Sequence, residues 1–239
     1  MPGHVCLILP TYDEAGSLPA VVAAARAALA DEDHHLLVID DASPDGTGAV
    51  AERLGVEVLH RPAKLGLGSA YVAGFTRALD AGAELVCQLD ADGSHDPAAL
   101  PGMLALARGS ADLVLGSRYV PGGGIVGWHP ARRAVSRAGC LYARAVLRVP
   151  VRDLTSGMKV WRAGALRAVG AATVRSQGYA FQVELTYRAL QHGLQVAETP
   201  IVFRERSGGA SKMTPRIALE AAWVVPALRS SSPPRLPIR

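Results

Sequence analysis

Two carboxylates one residue apart, Asp90 and Asp92, close the apolar run LVCQLD at 85–90. At an exposed strand end such a pair repels itself, and a hard divalent cation shared with phosphate oxygens relieves the repulsion. Asp92-Gly93 equally suits a turn, and Asp96 before Pro97 suits a helix cap, so the pair alone leaves both readings open. A second acidic pair, Asp40-Asp41, ends the run HLLVID; a carboxylate there can accept hydrogen bonds from a nucleotide base or ribose. Strand alternation predicts that Ile39 and Asp41 share one face and Asp40 the other. Lys64 stands at the entrance of a helix, in KLGLGSA, whose glycines suit a turn and close packing rather than a phosphate loop. Arg118 follows the run DLVLGS, and DLTSG places Asp153 beside two hydroxyls. Arg204, Arg206 and Lys212 share a glycine-bearing loop. An acidic metal pair and a glycine-hinged cationic loop together suit the departure of a diphosphate.

These residues need a scaffold, and the first 120 positions supply one. Apolar runs at 5–9, 35–40, 56–60, 85–90 and 112–117 alternate with alanine-rich stretches at 17–30, 46–54, 68–81 and 97–108. That alternation predicts an α/β domain with a mostly parallel central sheet flanked by helices, and ligands gather at the carboxyl ends of such strands. Beyond Ser117 the pattern predicts a basic helix at 131–148, a strand at 158–161, a helix at 180–192, a strand over 194–203 and a last helix at about 214–228. One domain over 1–229 and a disordered Ser/Pro-rich tail at 230–239 are expected.

The chain has 239 residues and a net charge of +4, divided unevenly. Residues 1–115 carry 6 basic and 16 acidic side chains; residues 116–239 carry 19 basic and 5 acidic ones. The acidic half disfavours nucleic acid as a partner. Cys6, Cys87 and Cys140 have neither metal-like nor redox-like spacing and read as buried thiols in a reducing compartment. The sequence shows no signal peptide and no transmembrane run, so a cytoplasmic protein is expected. In the basic segment, Arg132, Arg133, Arg137, Arg144 and Arg148 interleave with Trp128, Leu141, Ala145, Val146 and Leu147, a pattern suited to phospholipid head groups or to an ordinary amphipathic surface.

The succession PTYDEAGSL, VIDDASPDGT, KLGLGSAYVAGF, QLDADGSHDP, GSRYVPGGG, DLTSGMKVW, GYAFQVEL and FRERSGGASKM resembles the family 2 glycosyltransferases of GT-A fold, more narrowly the polyprenol-phosphate (dolichol-phosphate) mannose synthases, from about residue 5 to 213. The resemblance implies that Pro10, Tyr12, Glu14, Ile39 and Asp41 hold the guanosine of GDP-mannose, with Lys64 joining the donor site. It implies that Asp90, Ala91 and Asp92 line the diphosphate and a Mg²⁺ or Mn²⁺ ion, with Asp92 the principal ligand. Some relatives place a metal-binding Gln where Ser94 stands here, leaving a hydroxyl, a water or nothing in its place. Arg118 would reach towards sugar or acceptor phosphate, and Arg206 and Lys212 would clamp the diphosphate. Arg132, Arg133 and Ser136 are candidates for the phosphate of a polyprenyl (dolichyl) phosphate. Peripheral association with the cytoplasmic face of the membrane, alone or through a separate anchoring protein, would follow.

The expected reaction is an inverting, single in-line displacement at the anomeric carbon. A phosphate acceptor is already anionic and needs no general base. UDP-glucose as donor, or a hydroxyl as acceptor, keeps the same fold; the second would require a base that the sequence does not offer after Asp96. A nucleotidyltransferase would need a stronger glycine-rich loop near the start, and a pure lipid-surface binder would give Asp90 and Asp92 no purpose.

Overall fold

The computed structural model describes residues 3–174, 176–205 and 225–229. Its first half is the predicted alternation: β1 (Val5–Thr11), α1 (Leu18–Ala28), β2 (His34–Asp40), α2 (Thr47–Arg53), β3 (Glu57–His60), α3 (Leu67–Asp80), β4 (Leu85–Gln88), α4 (Leu100–Gly109) and β5 (Leu113–Ser117). There follow β6 (Gly124–Val126), α5 (Pro130–Leu147), β7 (Lys159–Arg162), α6 (Ala163–Ala168), α7 (Gly178–Gln191), β8 (Val196–Pro200) and β9 (Val202–Arg204). Seven strands form one sheet in the order β3-β2-β1-β4-β7-β5-β8, and β6 pairs with β9 in a second, two-stranded sheet. Among the described strands of the large sheet, only β7 runs antiparallel to its neighbours.

Alternation along the buried strands sorts the core into two layers. Cys6, Ile8 and Ile39 pack with Tyr71, Phe75 and Phe181 on one face; Leu7, Leu9 and Val38 pack with Val22, Met103 and Leu104 on the other. The chain leaves β1 towards β2 on one side and returns to β4 on the other, so the strand order reverses at the β1–β4 seam. Crevices at the carboxyl ends of such a seam are where open α/β sheets bind ligands.

Three expectations are corrected. The strand expected over 194–203 is two strands in different sheets: Pro200, at the end of β8, has no N–H to extend the ladder, and the chain turns at Ile201 into β9. β6 and α6 lie where the sequence suggested only connection. The strand at 85–90 ends at Gln88, which frees the following acids from the ladder. The last helix is helical at 225–229, while its earlier part, the loop 207–212 and the tail 230–239 lie outside the described residues. Among the described residues the three cysteines are free and buried, and no helix is long and apolar enough to cross a membrane.

Candidate active site

A cavity of about 310 Å³ opens over the β1–β4 seam and is lined by Tyr12, Asp41, Asp90, Asp92, Arg118 and Arg132, among others. Its floor is the acid pair. The chain turns directly after β4, with Asp92 Oδ1 accepting from the Ser94 N–H at 3.0 Å and from its hydroxyl at 2.5 Å. Tyr71 donates its phenol to Asp90 Oδ1 at 3.3 Å; burial first, then the charge of Asp90, lifts that phenol well above its ordinary range and keeps it a donor. His95 Nδ1 lies 3.5 Å from Asp90 Oδ2, and burial lowers the imidazole pKa, so the contact is with a neutral ring rather than an ion pair. A Cβ on Gly157 would sit 2.8 Å from Asp90 Oδ2, so glycine alone leaves that oxygen its space. Asp96 takes the predicted structural role, accepting from the Ala98 N–H.

The first wall comes from β1, β2 and the start of α3. Pro10, Tyr12, Glu14 and Asp41 all line the cavity, as does Lys64, whose ammonium sits 3.4 Å above the Tyr12 ring. Asp41 is held from behind: its carboxylate accepts from the Leu65 and Gly66 N–H groups and pairs with Arg61 at 2.8 Å. Arg61 escaped the sequence reading; a lone cation after the third strand carries no signal without the fold. Gly68 has the packing role expected, because a Cβ there would lie 2.4 Å from the Ser176 carbonyl. Ile39 is fully buried in the core and is not among the residues that line the cavity.

The opposite wall is built from distant segments. Arg118 is buried and forked onto Asp153, with Nε and Nη2 each 2.7 Å from a carboxylate oxygen and Nη2 also donating to Thr155. Burial opposes both charges, yet each holds its partner ionised: Arg118 is raised and Asp153 lowered from their ordinary values. Trp128, immediately before α5 rather than on it, meets Phe203 edge-on at 5.2 Å, and the Arg132 guanidinium stacks over the indole at 4.0 Å. Arg132 also pairs with Glu205 at 2.9 Å. Ser136 does not line the cavity; its hydroxyl accepts from Tyr119 at 2.8 Å. Arg133 is exposed on α5, outside the cavity lining. Ser94 lines it, but its hydroxyl is committed to Asp92; Ala91 lines it too, its carbonyl accepting from Ser17.

The sequence pattern of the family described as Glycosyl transferase family 2 matches residues 6–170, which include all of the acid pair, Arg118 and DLTSG. The chain is a family 2 glycosyltransferase. Two relatives match nearly end to end. The undecaprenyl-phosphate mannosyltransferase of Micrococcus luteus is 46% identical over 223 residues, 91% of this chain and 90% of that protein. The polyprenol monophosphomannose synthase of Mycolicibacterium smegmatis is 43% identical over 225 residues, 92% of this chain and 84% of that protein. Among solved structures, glucosyl-3-phosphoglycerate synthase from Mycobacterium tuberculosis in complex with Mn²⁺ and UDP-glucose shares the fold, with a TM-score of 0.71 at 18% identity over 96% of this chain and 79% of that one. The same enzyme with Mg²⁺ and UDP gives a TM-score of 0.74 at 16% identity, over 95% and 80% of the two chains.

The glycosyltransferase site suits a hard divalent cation on its own chemistry: two carboxylates one residue apart, with the space beside Asp90 Oδ2 kept open by Gly157. Among the described residues no group of three His, Cys, Asp or Glu ligands gathers, so water and phosphate oxygens would complete the shell. Arg206 and Lys212, the expected diphosphate clamp of the glycosyltransferase, lie outside the described residues. Its cavity also includes Trp128, Phe203 and Gln182, which the sequence reading did not select for the site because nothing in their local pattern separates them from core residues.

Proposed function

We propose that this glycosyltransferase moves mannose from GDP-mannose to a polyprenyl phosphate, with inversion and with a divalent metal ion. One observation carries the reading: a single cavity sets the acid pair Asp90/Asp92 on its floor beneath a wall bearing Arg132 and the Arg118–Asp153 fork. Such a site receives two phosphate-bearing substrates, one through metal and one through cations. The likeness to the Micrococcus and Mycolicibacterium enzymes supports the lipid phosphate as acceptor and mannose as the sugar.

In the proposed reaction a phosphate oxygen of the lipid attacks the anomeric carbon, the bond from that carbon to the GDP oxygen breaks, and GDP departs with the electron pair. The acceptor is already ionised, so no side chain has to remove a proton. Asp90 and Asp92 would hold the metal ion, which supplies neutralisation of the diphosphate charge as it departs. Tyr12, Lys64 and Asp41 bind the nucleoside side, Asp41 being fixed by Arg61 and two backbone N–H groups. Arg132 receives the lipid phosphate. Arg118 orients it with the part of its guanidinium outside the Asp153 fork, which leaves Nη1 uncommitted to that fork. The work of the protein is positioning two anions that would otherwise repel.

Approach to a membrane surface is proposed for α5. Of its 18 residues only Cys140, Ala143 and Leu147 are buried, and Val135, Leu141 and Tyr142 stand exposed among Arg133, Arg137, Arg144 and Arg148. An amphipathic basic surface of this kind is drawn to anionic lipid.

The test is direct. Purified protein is incubated with polyprenyl phosphate and radiolabelled GDP-mannose or UDP-glucose, with Mn²⁺ or with chelator. Labelled lipid from GDP-mannose that disappears on chelation is expected. Label from UDP-glucose but not GDP-mannose would overturn the donor assignment, and full activity in chelator would overturn the metal.

A further inference from the structure

Gln182 sits near the start of α7, only 2% exposed, and lines the cavity beside Asp90, Thr155 and Gly157. Neither its Oε1 nor its Nε2 has a hydrogen-bond partner among the described residues. The observation holds whichever way the amide is turned, because both ends lack a partner. Its backbone is fixed: the carbonyl accepts from Lys159 Nζ at 2.8 Å and from the Thr186 hydroxyl at 3.0 Å. Lys159 lies on β7, two residues beyond the glycine that faces Asp90, so this anchor ties Gln182 to the same end of the sheet as the acid pair.

Two other glutamines, the buried Gln88 and the exposed Gln177, show what structural amides do in this fold. Gln88 accepts from the Trp161 indole at 2.8 Å and leaves only its Nε2 without a partner, and Gln177 accepts from the Gly68 N–H at 3.0 Å. Gln182 does neither, although a buried amide without partners is costly and rare. A partner that arrives with the ligand resolves the cost.

The chemistry of that partner follows from the amide. It is neutral and offers one donor end and one acceptor end, as a hydroxyl does. Phosphates have Lys64 and Arg132 on the other walls. Lys159, the nearest cation on the anchoring strand, spends its ammonium on the Gln182 carbonyl and Thr186. The neutral, hydroxyl-bearing part of the substrates is the sugar. We propose that Gln182 hydrogen-bonds a hydroxyl of the transferred sugar and so contributes to donor selection, an inference that rests on the sugar-transfer reading above.

The experiment is a double-perturbation cycle in the metal-loaded enzyme with polyprenyl phosphate, using GDP-mannose and its 2-, 3-, 4- and 6-deoxy forms. Gln182→Met keeps the length and removes both hydrogen-bonding atoms. For the wild type, one deoxy donor should lose about 10- to 100-fold in kcat/KM. Gln182→Met should lose a similar factor with GDP-mannose itself, show no further loss with that one deoxy donor, and retain the wild-type pattern with the others. GDP alone should bind both proteins equally by calorimetry. Losses that simply multiply for every deoxy donor, or a Gln182→Met enzyme as active as wild type, would overturn the proposal, as would an equal fall in GDP affinity. If Met at this position prevents folding, Gln182→Glu, which removes the donor end alone, runs the same cycle. Should the wild-type assay select UDP-glucose, deoxyglucose donors take the place of the mannose series, so failure of the donor assignment and failure of Gln182 remain separate results.

Discussion

Arg118 and Asp153, 35 residues apart in sequence, form a two-bond fork at 2.7 Å in which the carboxylate is wholly buried and the guanidinium nearly so. Asp153 is itself seated by Glu198, which accepts from the Arg152 and Asp153 N–H groups. Removing one partner strands the other charge away from water. Asp153→Ala is therefore expected to cost about 3–5 kcal/mol of stability by chemical denaturation, as is Arg118→Ala. Arg118→Met combined with Asp153→Leu should recover much of that loss without recovering transfer. The sign with pH follows from Asp153 being held below its ordinary value: the stabilisation is complete above the normal carboxylate range and is lost as acid protonates the group. The apolar double variant should lack that acid sensitivity.

Gly157 is expected to act through Asp90. Its φ lies outside the left-handed region, so alanine fits the backbone, but the new Cβ would lie 2.8 Å from Asp90 Oδ2. Gly157→Ala should weaken Mn²⁺ binding about 10- to 100-fold, read by paramagnetic resonance or calorimetry, while melting near the wild-type temperature. Asp92→Ala should abolish both binding and transfer. Mn²⁺ affinity unchanged in both variants would remove the acid pair from the metal site.

Lys159 gives a pH dependence of opposite sense. Burial lowers its pKa to about 7, whereas the unfolded chain carries an ordinary lysine at 10.5. Between those values the unfolded state binds more protons, so stability should rise as pH increases from about 7 towards 10. Lys159→Met should flatten that part of the profile, measured by urea denaturation across the range. An identical slope in the variant would assign the dependence to other groups.

Glu205 competes for Arg132. Its carboxylate is half-exposed and pairs with the cation proposed to receive the lipid phosphate. An exposed pair of this kind is worth about 0–1 kcal/mol, so Glu205→Gln should leave stability almost unchanged. The KM for polyprenyl phosphate should fall about 2- to 5-fold, the same free energy expressed as affinity, with the KM for the sugar nucleotide unaltered.

The sequence made the centre of the sheet legible because β1, β4 and β5 are buried on both faces and therefore read as continuous apolar runs. Asp41 and Asp90 stood out at the ends of such runs for the same reason. Ile39 entered the donor site through the resemblance, and its side chain lies in the core beneath Asp41, which lines the cavity. Trp128, Phe203 and Gln182 were not legible as site residues: an aromatic or an amide looks the same in a core as in a cavity, and only the pairing of β9 with β6 and the seating of α7 bring these three together. Arg118 and Asp153 were each singled out, but their pairing was not, since nothing local links positions 118 and 153.

The seam between β1 and β4 runs beneath the cavity and sorts its lining into two groups of side chains. Tyr12, Asp41, Arg61 and Lys64 hang from β1, β2 and β3, whereas Gly157, Arg118 and Glu205 hang from or beside β7, β5 and β9. Substitutions drawn one from each group share no partner and should add in free energy, while the contacting pairs Asp41 with Arg61 and Tyr12 with Lys64 should couple. A lineage could then exchange the nucleotide it accepts without rebuilding the surface that greets the acceptor, and the converse change would be equally open to it.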